Sequence, residues 1–254
     1  MTNTANESTG EPARSPRSRR SGAAIFFRDL LLIVLAALLI SFLVKTFLIR
    51  SFFIPSESME QTLIRDDRII VNELAPEVMP IAHGDVIVFK DPGGWLDTQV
   101  TVEKNAVASA IDSALGFVGL SAEDSNDHLI KRVIGMPGDH VVCCDDFGRI
   151  TVNGTALEEP YIVLPTGAVD ATPEKFDVVV PEGSLWVMGD NRYRSADSAF
   201  HHTTDPGREF VPYDDVVGRA FVISWPISRW TWLENYPQVF SDVPATSDDP
   251  ASED

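Results

Sequence analysis

From position 30 to position 49 the chain is apolar almost without a break. Residues 30–44 read LLLIVLAALLISFLV, with Ser41 the one polar side chain, and TFLI follows Lys45. A helix over this stretch would be about 30 Å long, the thickness of a bilayer's hydrocarbon core. Lys45 lies near its far end, where a long stem lets the ammonium reach the headgroups. A cleaved leader has the same basic flank but needs a small-residue cleavage site, and LIRSFFIPSES offers none. A buried core helix would carry a polar stripe. The pattern predicts an uncleaved transmembrane anchor over 29–50.

Past Ser51 the period changes from a continuous run to short β-branched segments separated by turn residues. RIIVNEL (68–74), DVIVFK (85–90), LIKRVIG (129–135), HVVCC (140–144), RITVNG (149–154), FDVVVPEG (176–183), LWVMGD (185–190) and VVGRAFVISW (216–225) read as strands. The Asp-Asp-Phe-Gly at 145–148 reads as a hairpin turn between two of them. Residues 105–120 alone suggest a helix, and equally a loop. The body, 51–240, is predicted to be mostly β. No repeat of fixed period runs through it.

Charge divides the chain at the same place. The whole carries 20 Lys plus Arg against 38 Asp plus Glu, a net −18. Residues 1–28 hold five arginines against Glu7 and Glu11, so they carry +3 and the remainder −21. The Ser-, Pro- and Arg-rich start reads as a disordered tail, and 241–254, with five acids and no base, as a second. The positive-inside bias then leaves the N-terminus cytoplasmic and the body outside. An acidic body excludes nucleic acid as the partner, because phosphate binding needs a basic face.

Candidate chemistry is sparse. HExxH, P-loop, GxGxxG and GxSxG patterns are all missing. The two cysteines, Cys143 and Cys144, are adjacent; neighbours on a strand point to opposite faces, which favours separate thiols over a bridge and makes no zinc site. Five lysines are present, and Lys131 alone sits inside an apolar strand. Turned inward, it would lose its charge to burial and become a general base; turned outward, it would be an ordinary solvated side chain beside Arg132. Ser56 and Ser58 follow Pro55 on an extended stretch and share one side of it. Either one hydroxyl of that pair serves as nucleophile and the other as an oxyanion donor, or the segment is an ordinary serine-rich loop.

Four blocks in order, FFIPSESMEQTL (52–63), GDVIVFKDP (84–92), IKRVIGMPGD (130–139) and MGDNRYRSADS (188–198), resemble the bacterial type I signal peptidases, Ser-Lys endopeptidases anchored by an N-terminal span. The resemblance implies a β-rich catalytic domain, with insertions at about 91–128 (a loop or hairpin) and 141–182 (a smaller β cap). It implies Ser58 as nucleophile, Lys131 as general base, the Ser58 N–H and Ser56 hydroxyl as oxyanion donors, and Ser195 as the group orienting the Lys131 amine. Ile54, Pro55, Met59, Leu63, Leu129 and Ile130 would line shallow pockets for the small residues of Ala-x-Ala sites. No metal or cofactor is implied. The implied partners are signal-peptide-bearing preproteins and the bilayer, near the secretion translocon, at the bacterial cell membrane. The chain departs from the family pattern at Gln61, where proline is frequent, and at Leu129, where an aromatic is. It also lacks an arginine after Ser198, which leaves Arg192 or Arg194 to support Asp197. Trp225, Trp230, Trp232 and Tyr236 would either rest at headgroup level or pack the core. A self-cleaving repressor shares the dyad but is soluble and carries a DNA-binding domain. A peptide-binding β-domain without activity would have lost Ser58 or Lys131, and both are present.

Overall fold

The computed structural model describes residues 20–96 and 127–244. Both predicted tails lie wholly or largely outside that set, as do residues 105–120 and most of the 91–128 insertion. The chain falls into two compact units, residues 1–43 and 44–254.

Helix α1 spans Arg20–Phe47. Within it, Ala24–Phe42 is long and apolar enough to cross a membrane, and its side chains are exposed. The helix starts upstream of the expected boundary at 29, because Ala and Arg propagate a helix as well as Leu does. It also stops short of the expected end at 50. Ile49–Phe53 instead form strand β1, in register with the next strand from Ile49 opposite Asn72 to Phe53 opposite Arg68. Backbone pairing takes these residues out of the anchor.

The body is β-rich and antiparallel. After β1 come β2 (Arg68–Asn72), β3 (Val86–Lys90), β4 (His128–Gly135), β5 (His140–Cys143), β6 (Ile150–Val152), β7 (Thr155–Ala156), β8 (Phe176–Val179) and β9 (Ser184–Met188). A short helix α2 (Ser198–Thr204) precedes β10 (Val211–Pro212), β11 (Val216–Trp225) and β12 (Thr231–Trp232). The larger sheet runs β1-β2-β11-β3-β4-β9-β10, with β12 on β11; the smaller runs β7-β6-β5-β8. All eight segments predicted as strands are strands. The additional ones are the two-residue β7, β10 and β12, too short to show a period, and β1, hidden at the end of the apolar run.

Register between β3 and β4 decides what each face carries. Val88 lies opposite Ile130 and Val86 opposite Arg132, while Ile87 lies opposite Lys131 and Phe89 opposite Leu129. Paired residues share a face. Val86, Val88 and Ile130 therefore join Phe52, Ile54, Met59, Leu63 and Ile69 in one apolar core, and Ile87, Phe89, Leu129 and Val133 join a second on the opposite side.

Strand β5 ends in a departure from the alternation argument. Cys143 and Cys144 form a disulfide, their Cα atoms 3.0 Å apart across a cis peptide bond.

Candidate active site

The stretch after β1 is pinned before it reaches its serines. Ile54 N–H donates to Asp67 O and Asp66 N–H to Ile54 O, so the chain stays extended up to Pro55. It then turns, with Leu63 N–H donating to Met59 O at 2.7 Å. Met59 and Leu63 are fully buried. They lie in the core beneath the turn and not on the cleft wall, contrary to the sequence reading. Their sequence spacing fits a lining role equally well, and only the turn sends them inward. Gln61 closes the turn at φ +79°, a conformation closed to proline.

Ser58 and Lys131 meet across 73 residues of sequence: the Lys131 ammonium donates to Ser58 Oγ at 2.9 Å and to the Ile130 carbonyl at 3.1 Å. Lys131 is 3% exposed. Burial pushes its pKa down to about 8, against the opposing pull of Asp197 and then Asp190. Ser56 is exposed, with its Oγ 3.3 Å from Ser58 Oγ.

Ser195 does not bond to the Lys131 amine. Its hydroxyl is buried without a hydrogen-bond partner among the described residues. It packs over Gly189, where a Cβ would stand 2.3 Å from its Oγ and 2.5 Å from the Ser58 carbonyl oxygen. The amine meanwhile faces Ser58 and its own strand's carbonyl. Asp197 is held by backbone, its carboxylate accepting from Gly189 N–H at 2.8 Å and from Ala199 N–H at 3.1 Å. Burial raises its pKa, while Gly189 N–H, Lys131 and Arg192 pull the other way. Arg192 is engaged with Glu159 and Arg194 with Glu57. Neither replaces the missing arginine by a direct bond.

The segment after β9 supplies support that sequence reasoning did not assign. Asn191 N–H donates to the Ser58 carbonyl at 3.0 Å. Asp190 takes the Arg132 guanidinium bidentately, at 2.8 and 2.7 Å, on the face of β4 opposite Lys131. The Asp-Asn pair inside MGDNRYRSADS was the signal for both roles.

An open cleft of about 250 Å³ runs from the Ser-Lys pair. Ile54, Pro55, Leu129 and Ile130 line it, joined by Phe52, Ile69, Val88 and, from the turn after β3, Trp95 and Leu96. Among the described residues no group of His, Cys, Asp and Glu side chains is placed to hold a metal ion.

A serine hydroxyl on a buried amine, in an open apolar cleft of a β-rich body, is the arrangement of a hydrolase of the serine-peptidase class. A family model described as "Signal peptidase, peptidase S26" matches residues 27–225. A probable signal peptidase I of Mycobacterium leprae is 38% identical over 225 residues, 80% of this chain and 77% of its own. The signal peptidase I of Mycobacterium tuberculosis is 39% identical over 238 residues, 87% of this chain and 78% of its own. A signal peptidase I of Leptolyngbya laminosa is 35% identical over 186 residues, 73% of each chain. The chain belongs to the S26 signal peptidase family and is a serine peptidase that removes signal peptides from preproteins.

Proposed function

We propose that cleavage runs through a Ser58–Lys131 dyad and an acyl-enzyme. The observation that carries this reading is the 2.9 Å contact between Ser58 Oγ and a lysine amine whose pKa lies near 8. The neutral amine at that distance accepts the hydroxyl proton as Oγ attacks the scissile carbonyl. The Ser56 hydroxyl and the Ser58 N–H receive the oxyanion. Collapse expels the amine of the mature protein, which takes the proton from Lys131. The lysine, neutral again, then activates the water that releases the signal peptide. Ser195 packs Gly189 in place beneath the nucleophile, a positioning role.

The substrate lies extended along β4, whose residues 128–131 have no strand partner on the side away from β3 among the described residues. Shallow apolar walls at Ile54 and Ile130 reject bulky side chains at the first and third positions before the cut, which selects Ala-x-Ala. Met59 and Leu63 act from below by holding the turn. The basic segment before α1 orients the anchor with the N-terminus cytoplasmic and the body outside, at a bacterial cell membrane that also carries the translocon. Helix α1, Arg20–Phe47, then serves as the anchor between a basic N-terminal tail and the peptidase body, which begins at β1 and runs to about 240 before the acidic tail.

The test is cleavage of a secreted precursor by the full-length protein in detergent. Ser58→Ala and Lys131→Ala are each expected to lose processing while still inserting into membranes. Processing at the wild-type rate in either variant overturns the dyad.

A further inference from the structure

The cleft draws its walls from both faces of β4. Val88 and Ile130 belong to one face, with Ile54 and Ile69; Leu129 and Lys131 belong to the other, with Phe89 and Trp95. A peptide paired along the free edge of β4 alternates its side chains between the same two faces. If the residues first and third before the cut enter the pockets beside Ile130, the second and fourth point at Leu129, Trp95 and Leu96.

That second wall is built to hold still. The Asp91 carboxylate accepts from the backbone N–H groups of Gly93 and Trp95 at 2.9 Å each and of Leu96 at 3.3 Å, closing the turn that presents both side chains. The Trp95 indole N–H donates to the Arg208 carbonyl at 2.7 Å. Its ring stacks on His201 with centroids 4.5 Å apart and meets Phe89 edge-on at 5.7 Å. Only 6% of Trp95 is exposed, and the residue is part of the cleft lining. A tryptophan ring held by three contacts offers apolar area without losing side-chain freedom when substrate arrives.

We propose that Trp95 and Leu96 form a specificity subsite for the substrate residues alternating with the small ones, the second and fourth before the cut, and that it favours apolar side chains there. The small-residue pockets thus exclude by size on one face, while this wall selects by apolar contact on the other. The inference rests on the edge-strand binding and Ser58–Lys131 dyad proposed above.

The test uses full-length protein in detergent and precursor peptides that carry glycine, leucine or aspartate singly at each of the four positions before the cut. Wild type is expected to prefer leucine over glycine in kcat/KM at the second or fourth position by about tenfold. In Trp95→Ala that ratio is expected to collapse toward unity, while the preference for alanine over leucine at the first and third positions persists. Leu96→Ala, at a half-exposed position, and Trp95→Phe repeat the comparison with folds checked by melting. An unchanged ratio in folded variants overturns the subsite, as does a change confined to the first and third positions. Ser58→Ala on the same peptides separates the two readings, since residual cleavage there strikes the dyad and leaves the Trp95 comparison standing.

Discussion

At the scale of single residues, the proposed dyad chemistry depends on keeping one amine uncharged. With its pKa near 8, Lys131 is half neutral at that pH, and protonation below it removes the base. The rate in kcat/KM is therefore expected to rise with pH, with an acidic limb whose midpoint lies near 8 rather than in the carboxylate range. A profile flat down to pH 4 argues against a lysine base. The stability sign is the same. Between about pH 8 and the ordinary lysine value the unfolded chain binds more protons than the folded one, so Lys131 makes stability rise with pH across that window. Gly189 is the second single-residue constraint. A methyl there collides with the Ser58 carbonyl and the Ser195 hydroxyl, so Gly189→Ala is expected to lower kcat by about a hundredfold with a far smaller change in KM. Steady-state kinetics on a peptide substrate checks this.

At the scale of elements, β4 is the component whose two faces serve different ends. One turns Lys131 toward Ser58. The other buries Arg132, which binds Asp190 and the Gly84 carbonyl and lies 4.1 Å from the centre of the Tyr161 ring. Arg132→Ala leaves Asp190 charged and unpaired in the interior and is expected to cost about 3–5 kcal/mol, whereas Arg132→Met with Asp190→Leu costs markedly less. Chemical denaturation followed by tryptophan fluorescence measures both. The join between β9 and α2 behaves similarly at smaller scale. Each Asp197 oxygen accepts a different backbone N–H, and an asparagine has only one acceptor oxygen to offer. Asp197→Asn is expected to destabilise by about 1–3 kcal/mol. Because Asp197 also holds the Lys131 pKa up, the same variant moves the acidic limb of the rate profile to lower pH.

At the scale of the whole molecule, the surface and the anchor divide the work. Trp225, Trp230 and Trp232 are each more than half exposed, with Ile227 beside them in sequence at 75%, while Tyr236 packs against the core. Of the five tryptophans, Trp95 and Trp186 are buried and so contribute an emission that lipid-borne quenchers do not reach. Contact of the exposed three with the headgroup layer, where an indole's apolar body and polar N–H both find partners, is the expectation that a quenching measurement tests. In full-length protein reconstituted into vesicles, brominated acyl chains are expected to quench tryptophan fluorescence, and Trp230→Ser with Trp232→Ser to lose most of that quenching. Equal quenching in both proteins argues against that contact. The −21 carried outside residues 1–28 works against any broader contact with anionic lipid.

What the sequence determined by itself was everything that a local period or a motif encodes. A continuous apolar run marked α1, alternation marked the main strands, and one lysine inside an apolar strand, two serines after a proline and four ordered blocks marked the site and the family. These are short-range signals, set by helix rise, strand pleat and the cost of burying charge. Tertiary structure alone decided which way side chains face once distant segments meet. It sent Met59 and Leu63 into the core, left the Ser195 hydroxyl off the lysine, joined Cys143 to Cys144, and turned Trp95 onto the cleft. Each of those outcomes depends on a turn or on a neighbour that the local pattern does not contain, and so no local pattern records it.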